Sequence, residues 1–153
     1  MSHKPKIIVV VGPTAVGKSE IAVRLAKRFN GEVISADSRQ VYKGLDICSG
    51  KITETEMRGV PHYLLDVADP KKVFTVADYK TLAEKAIFDI LNRGKVPIIC
   101  GGTGFYIDTV VNGIEYPDVP ANQKLINTLS KKTTEALFKM LQNRRNQISD
   151  CNF

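Results

Sequence analysis

Eight consecutive residues, Gly12-Pro-Thr-Ala-Val-Gly-Lys18-Ser19, satisfy the spacing G-x-x-x-x-G-K-[ST]. That spacing serves anion binding. Glycines at the first and sixth positions let backbone N–H groups turn inward on one point. A helix beginning near Lys18 adds the positive end of its dipole. Lys18 supplies a mobile cation, and the Ser19 hydroxyl suits a Mg²⁺ ion held against phosphate. Gly12, Pro13, Thr14, Ala15, Val16, Gly17, Lys18 and Ser19 are thus the candidate phosphate-binding residues. A bare strand-to-helix turn would have no need of Lys-Ser after its second glycine. The motif does not say whose phosphates are bound.

Other residues could share the chemistry. Asp37 falls where a short apolar run ends, one strand–helix unit after the loop, and could act as a general base. An Asx turn or a helix N-cap explains an Asp before Ser equally well. Gly101-Gly-Thr-Gly104 could be a second anion-binding turn, with Thr103 as a hydrogen-bonding group, or a tight turn that lets a helix approach the sheet. Asp66 ends an apolar run, as a metal-holding carboxylate does, though a surface strand terminus fits better. His62, between Pro61 and a strand, suits a structural role. Arg39 and Arg58 could meet phosphates or only water.

The elements that must position these groups follow from periodicity. Ile7 to Val11 is a β-branched run, expected as a buried strand. Ile21, Ala22, Leu25, Ala26 and Phe29 recur at helical spacing until Gly31. Glu32–Ala36, Tyr63–Val67 and Val96–Cys100 are expected strands, with Pro97 marking the start of the last. Residues 43–60 are expected to be loop. Thr75-Val-Ala-Asp78 resembles a capping box, opening a helix that buries Val76, Tyr79, Leu82, Ala83, Ala86, Ile87 and Ile90 and stops at Gly94. Phe105–Val111 is a short helix. Alternating strands and helices imply a parallel sheet with right-handed crossovers. The fold class is α/β: a three-layer parallel sheet, P-loop NTPase-like, with a short C-terminal helical segment. Glu115–Pro120 is a linker, so residues 1–120 form the core and 121–153 a basic helical segment. In the latter, Leu125, Ile126 and Leu129, then Leu137, Met140 and Leu141, suggest one interrupted helix or two short ones, with a frayed tail from Asn143.

Composition narrows the class without choosing a function. The 153 residues suffice for one domain with a core, and 43% hydrophobic with 25% charged residues is ordinary for a globular protein. No apolar run reaches membrane-spanning length. Cys48, Cys100 and Cys151 lack metal-ligand spacing and read as free thiols in a reducing cytosol. The net charge of +6 is uneven: residues 121–153 carry six Lys or Arg against two acids. That surplus fits a polyanionic partner or a solvated helix surface.

Taken together, Gly12–Ser19, Asp37-Ser-Arg-Gln-Val-Tyr-Lys-Gly-Leu-Asp-Ile47, Pro61-His-Tyr-Leu-Leu-Asp66 and Gly101-Gly-Thr-Gly-Phe-Tyr106 resemble the tRNA dimethylallyltransferase (tRNA isopentenyltransferase) family. The second and fourth runs are the specific ones, and the likeness covers residues 6 to about 130. The resemblance implies transfer of a dimethylallyl group from dimethylallyl diphosphate to the exocyclic amine of an adenosine beside the tRNA anticodon. The loop would then hold a prenyl diphosphate rather than ATP, and Mg²⁺ would be the cofactor. It implies that Thr14 touches the departing oxygen, Lys18 neutralises charge growing on diphosphate, and Ser19 helps hold the metal. Asp37 would deprotonate the amine; Ser38, Arg39 and Gln40 would line the tRNA contact, and Thr103 would touch the substrate nucleotide. The target base would be flipped out of the anticodon stack. A cytoplasmic monomer, not bound to a membrane, is implied.

Two departures accompany the resemblance. The family continues with another Arg-rich helical segment, a helical tRNA-binding insertion and a further diphosphate-binding arginine, so this chain is expected to be a shortened member with impaired transfer. Members also carry an arginine near the position of Ile126, and the ending Gln142–Phe153 does not match the family's continuation. Three rival readings share the loop: a small-molecule kinase binding ATP, an isopentenyltransferase acting on adenine nucleotides, and a non-catalytic remnant that binds phosphate.

Overall fold

The computed structural model of the protein describes residues 6–116 and 122–149. The chain divides into two compact units, Met1–Tyr116 and Pro117–Phe153.

The first unit is built on four parallel strands: β1 (Ile8–Val11), β2 (Gly31–Ser35), β3 (His62–Tyr63) and β4 (Val96–Gly101), in the order β1-β4-β2-β3. The central pair carries the longest ladder, with Gly31 facing Val96 and Ser35 facing Cys100. Alternation of side chains along these strands sorts the core into two layers. Val33, Ile98 and Cys100 pack with Ala22, Val23 and Ala26 of α1 (Lys18–Phe29). Ile34 and Ile99 pack on the other face, with residues of α4 (Val76–Asn92) and α5 (Gly104–Val111). The result is the expected three-layer α/β arrangement.

Between β2 and β3 the expected loop contains two single-turn helices, α2 (Asp46–Ser49) and α3 (Glu54–Met57). Thr53 and Glu56 form a full capping box on α3, the T-x-x-E spacing that marks a helix start. The third strand is shorter than expected. Leu64 and Asp66 take left-handed backbone angles, φ 63° and 56°, which end an extended run after Tyr63.

Two burial expectations also change. β1 lies at a sheet edge, and Val9 and Val11 are exposed rather than buried. Helix α1 buries Ala22, Val23 and Ala26, while Ile21 and Phe29 face outward. The small residues lie where the helix approaches the sheet, so the larger ones mark the flank of its apolar stripe. The capping box at Thr75 is present as expected: the Thr75 hydroxyl accepts from the Asp78 N–H at 3.2 Å, and Asp78 Oδ2 accepts from the Thr75 N–H at 2.8 Å.

The second unit contains α6 (Gln123–Leu129) and α7 (Thr134–Ser149), the two-helix alternative. Helix α7 runs on through Asn143, where a frayed tail was expected. Leu125, Leu129, Leu137, Phe138, Met140 and Leu141 line one apolar cavity of about 720 Å³ within this unit. The linker expected over Glu115–Pro120 lies mostly outside the described residues.

Candidate functional site

The phosphate loop leaves β1 at Val11 and enters α1 at Lys18. Ala15 and Gly17 both adopt positive φ, 64° and 83°. Glycine takes that angle freely, whereas alanine at φ 64° is held against its preference, a strain found where backbone is shaped for a ligand. Lys18 Nζ donates to Pro13 O at 2.6 Å, closing the loop on itself. A lysine has three donors, so others remain for an anion. Thr14 and Ser19 are exposed in the same turn.

The second group of residues arrives from β2. Beyond Ser35 the chain turns at Asp37, whose Oδ1 accepts from the Arg39 N–H at 2.9 Å and the Gln40 N–H at 3.4 Å. This is the Asx-type turn that the Asp-Ser pair suggested, and it fixes the carboxylate while engaging only Oδ1. A general-base role and the turn are therefore compatible. Ser38 and Arg39 are exposed. Gln40 is engaged at both ends of its amide: Oε1 accepts from Ser35 Oγ at 3.3 Å, and Nε2 donates to Gly50 O at 3.1 Å.

The turn after β4 joins these two groups. Thr103 N–H donates to Ala36 O at 3.0 Å, and Thr103 Oγ1 accepts from the Ser38 N–H at 2.9 Å. Gly101 is required for this approach: a Cβ there would stand 2.1 Å from Ala36 O. At Gly102 the nearest atom to such a Cβ, Gly12 O, is 3.7 Å away, which places the Gly-rich turn beside the phosphate loop. Tyr79 supports the same region from below. Its hydroxyl donates to Ser35 O at 3.1 Å, its ring stacks on Tyr106 at 3.9 Å, and burial holds its ionisation well above the ordinary range. The carboxyl ends of β1, β4 and β2 thus present the loop, Thr103 and Asp37 on one side of the sheet, where open α/β sheets bind ligands. Val9, Val11, Ile107 and Val111 line a groove of about 630 Å³ that also touches Gly12 and Pro13.

Asp66 does not stand alone as a metal ligand. Lys51, its side chain 8% exposed, donates to Asp66 Oδ1 and to Asp46 Oδ1, each at 2.6 Å, and to Tyr42 O at 3.1 Å. All three ammonium donors are used. The lysine therefore ties the segment after Asp37 down to the β3 side rather than meeting a ligand. Burial acts to lower the Lys51 pKa, but its hydrogen bonds to the two carboxylates together outweigh that and raise it. No cluster of three or more His, Cys, Asp or Glu suited to a metal occurs among the described residues. A divalent cation at this site would rest on the Ser19 hydroxyl, phosphate oxygens and water, the donor set Mg²⁺ favours. Arg58 and Ser19 line a common cavity of about 190 Å³, so Arg58 stands near the loop.

These features define a phosphate-loop α/β protein with a second, carboxylate-bearing loop at the same sheet end. The IPP transferase family (IPPT) matches residues 40–151. Over 137 residues, 90% of the chain, it is 47% identical to a tRNA dimethylallyltransferase of Anoxybacillus flavithermus, covering 44% of that protein. Over 130 residues it is 48% identical to one of Staphylococcus aureus, covering 42%. Among solved structures, a full-length tRNA isopentenylpyrophosphate transferase from Bacillus halodurans superposes with a TM-score of 0.74 at 42% identity, over 98% of this chain and 51% of that one. A eukaryotic dimethylallyltransferase captured acting on tRNA gives a TM-score of 0.82 at 33% identity, over 98% and 38%. The chain belongs to the IPP transferase family. It spans about half or less of the length of each of these relatives.

Proposed function

We propose that this chain binds the diphosphate of dimethylallyl diphosphate in the Gly12–Ser19 loop and presents Asp37 to the exocyclic amine of an adenosine in the tRNA anticodon stem-loop. The observation that carries this reading is the shared position of loop and carboxylate. Thr103 hydrogen-bonds the Ser38 segment while its neighbour Gly102 lies beside Gly12. In the reaction the amine nitrogen attacks the allylic carbon, the carbon–oxygen bond to diphosphate breaks, and Asp37 takes the proton from nitrogen. Lys18 and the loop N–H groups stabilise charge as it grows on the leaving diphosphate. Bound Mg²⁺ would supply further positive charge at the same oxygens, with Ser19 as the protein's ligand.

The groove of Val9, Val11, Ile107 and Val111 supports a hydrocarbon tail rather than a nucleotide beside the loop, since among the described residues Asp108 is the sole charged side chain on its wall. The likeness to enzymes named for tRNA supports the acceptor. The basic surplus of residues 121–153 suits the many phosphate contacts that RNA binding uses. No helix among the described residues is long and apolar enough to cross a membrane. A monomer working in the cytoplasm completes the reading.

The test is a comparison of donors and acceptors. Labelled dimethylallyl diphosphate should bind in preference to ATP, and label should pass to an anticodon stem-loop but not to AMP. Phosphoryl transfer from ATP to a small acceptor would replace the reading with the kinase. Equal transfer to AMP would replace it with the adenine-nucleotide enzyme.

A further inference from the structure

We infer that His62 is a positioning residue for Ser19: one water between them draws the Ser19 hydroxyl proton inward, toward His62 Nε2, and leaves the serine lone pairs turned outward to a cation. This rests on the proposed role of Ser19 as the Mg²⁺ ligand.

The imidazole opens β3, where His62 faces Val33 in the register. Its Nδ1 lies 2.8 Å from Val60 O. A carbonyl oxygen only accepts, so Nδ1 carries the proton and, in a neutral ring, Nε2 bears the lone pair. Burial lowers the His62 pKa and so favours that neutral ring. Nε2 is shut away from solvent and finds no hydrogen-bond partner among the described residues. An orphaned acceptor of this kind calls for a donor.

The surroundings supply a place for one. His62 lines a cavity of about 20 Å³ together with Ser19, Ser35, Gln40 and Cys100, and Val33, Ile52 and Leu65 complete its wall. That volume suits a single water, and the lining is polar enough to hold it. Ser35 Oγ already donates to Gln40 Oε1 at 3.3 Å, so its oxygen remains an acceptor. Burial pushes the Cys100 thiol up to about 11, so no thiolate competes. A water there donates to His62 Nε2 and Ser35 Oγ and accepts from the Ser19 hydroxyl. Serine has one proton and two lone pairs. With the proton committed inward, neither lone pair need turn away from a metal bound at the phosphates. Partners that orient a metal ligand in this way act through it rather than on the metal.

Two substitutions separate this role from packing. His62→Asn keeps an amide N–H near the Nδ1 position for Val60 O but loses the acceptor at Nε2. His62→Gln places a carbonyl oxygen near Nε2. Calorimetry with inorganic diphosphate, with and without Mg²⁺, gives the gain in affinity that the metal provides. That gain should fall about 3- to 10-fold in His62→Asn, the worth of one hydrogen bond, and be largely restored in His62→Gln. Metal-free affinity should not change. Ser19→Ala should remove the gain, and adding His62→Asn to it should cost nothing more. An unchanged gain in His62→Asn, an equal loss with and without metal, or an additive double variant overturns the inference alone. A full gain in Ser19→Ala overturns the metal assignment and the inference with it. Nitrogen NMR of the unaltered protein provides a check free of folding effects: His62 should be the Nδ1–H tautomer, and an Nε2–H ring contradicts the inference.

Discussion

Thr103 Oγ1 accepts a hydrogen bond from the Ser38 N–H at 2.9 Å, across 65 residues of sequence. Thr103 also stands at the N-cap of α5, yet its side chain makes no capping bond there. The hydroxyl that would ordinarily close the helix is given to the loop carrying Asp37.

Thr103→Val keeps the shape and removes that acceptor. Because no cap is lost, the change isolates the link to Ser38. Stability should fall by about 0.5–1.5 kcal/mol, measured by urea denaturation, and the Ser38 amide should exchange faster. Diphosphate affinity should stay unchanged, since the loop itself is untouched.

The two neighbouring glycines should respond differently. Gly101→Ala drives a methyl group to within 2.1 Å of Ala36 O, a backbone atom of an adjacent strand end. Overpacking of this kind costs about 1–3 kcal/mol or more. Gly102→Ala meets Gly12 O at 3.7 Å, an ordinary contact, and should be tolerated. Thermal melts of the two variants provide the comparison; equal melting temperatures would contradict the described strand-end packing.

Acid should weaken the protein through Glu32. Its side chain is 1% exposed and accepts from Arg93 Nη1 and Nη2, from Lys95 Nζ, each at 2.6 Å, and from Tyr63 Oη. The bidentate Arg93 contact is the main cause that lowers its pKa from 4.5 to about 2 against the opposing effect of burial. The folded value lies below the unfolded one, so the stabilisation is complete above about pH 4.5 and is lost as pH falls toward 2. Glu32→Gln should lose stability at neutral pH, toward the lower end of the roughly 3–5 kcal/mol typical of a broken buried pair, because Arg93 and Lys95 keep partial access to water. It should also flatten the acid limb of a denaturation series run from pH 7 to pH 2.

Asp37→Asn tests the base. The amide keeps an oxygen for the Arg39 and Gln40 N–H groups, so the turn should persist and donor affinity should not move. Transfer to an anticodon stem-loop should fall by about 10²–10⁴-fold, the range for loss of a general base. Equal turnover would leave Asp37 as a turn residue only.

Much of this arrangement was legible in the sequence because it is local. The loop is defined by residue spacing between Gly12 and Ser19, the helix of α4 by a 3.6-residue stripe with its own capping box, and the order of strands and helices by alternation. The Asp37 turn is also local, and its Asp-Ser signature announced it. What was hidden depends on distance in space. The left-handed angles at Leu64 and Asp66 end β3, and Asp66 there meets Lys51, which lies fifteen residues earlier. The exposure of Val9 and Val11 follows from the position of β1 at the sheet edge, which its own apolar run cannot reveal. His62 lies in the Pro61–Asp66 run, but that run does not tell that it shares a cavity with Ser19; this comes only from the fold, with β3 paired to β2.

Donor binding at the phosphate loop underlies every step proposed for this chain. Calorimetry of dimethylallyl diphosphate with Mg²⁺ on the unaltered chain and on Lys18→Ala measures it. Loss of the ammonium should weaken binding by about 1.5–3 kcal/mol, the worth of a charged hydrogen bond, with the fold and melting temperature retained. Equal affinity in the two proteins would contradict the assignment of the Gly12–Ser19 loop to the donor.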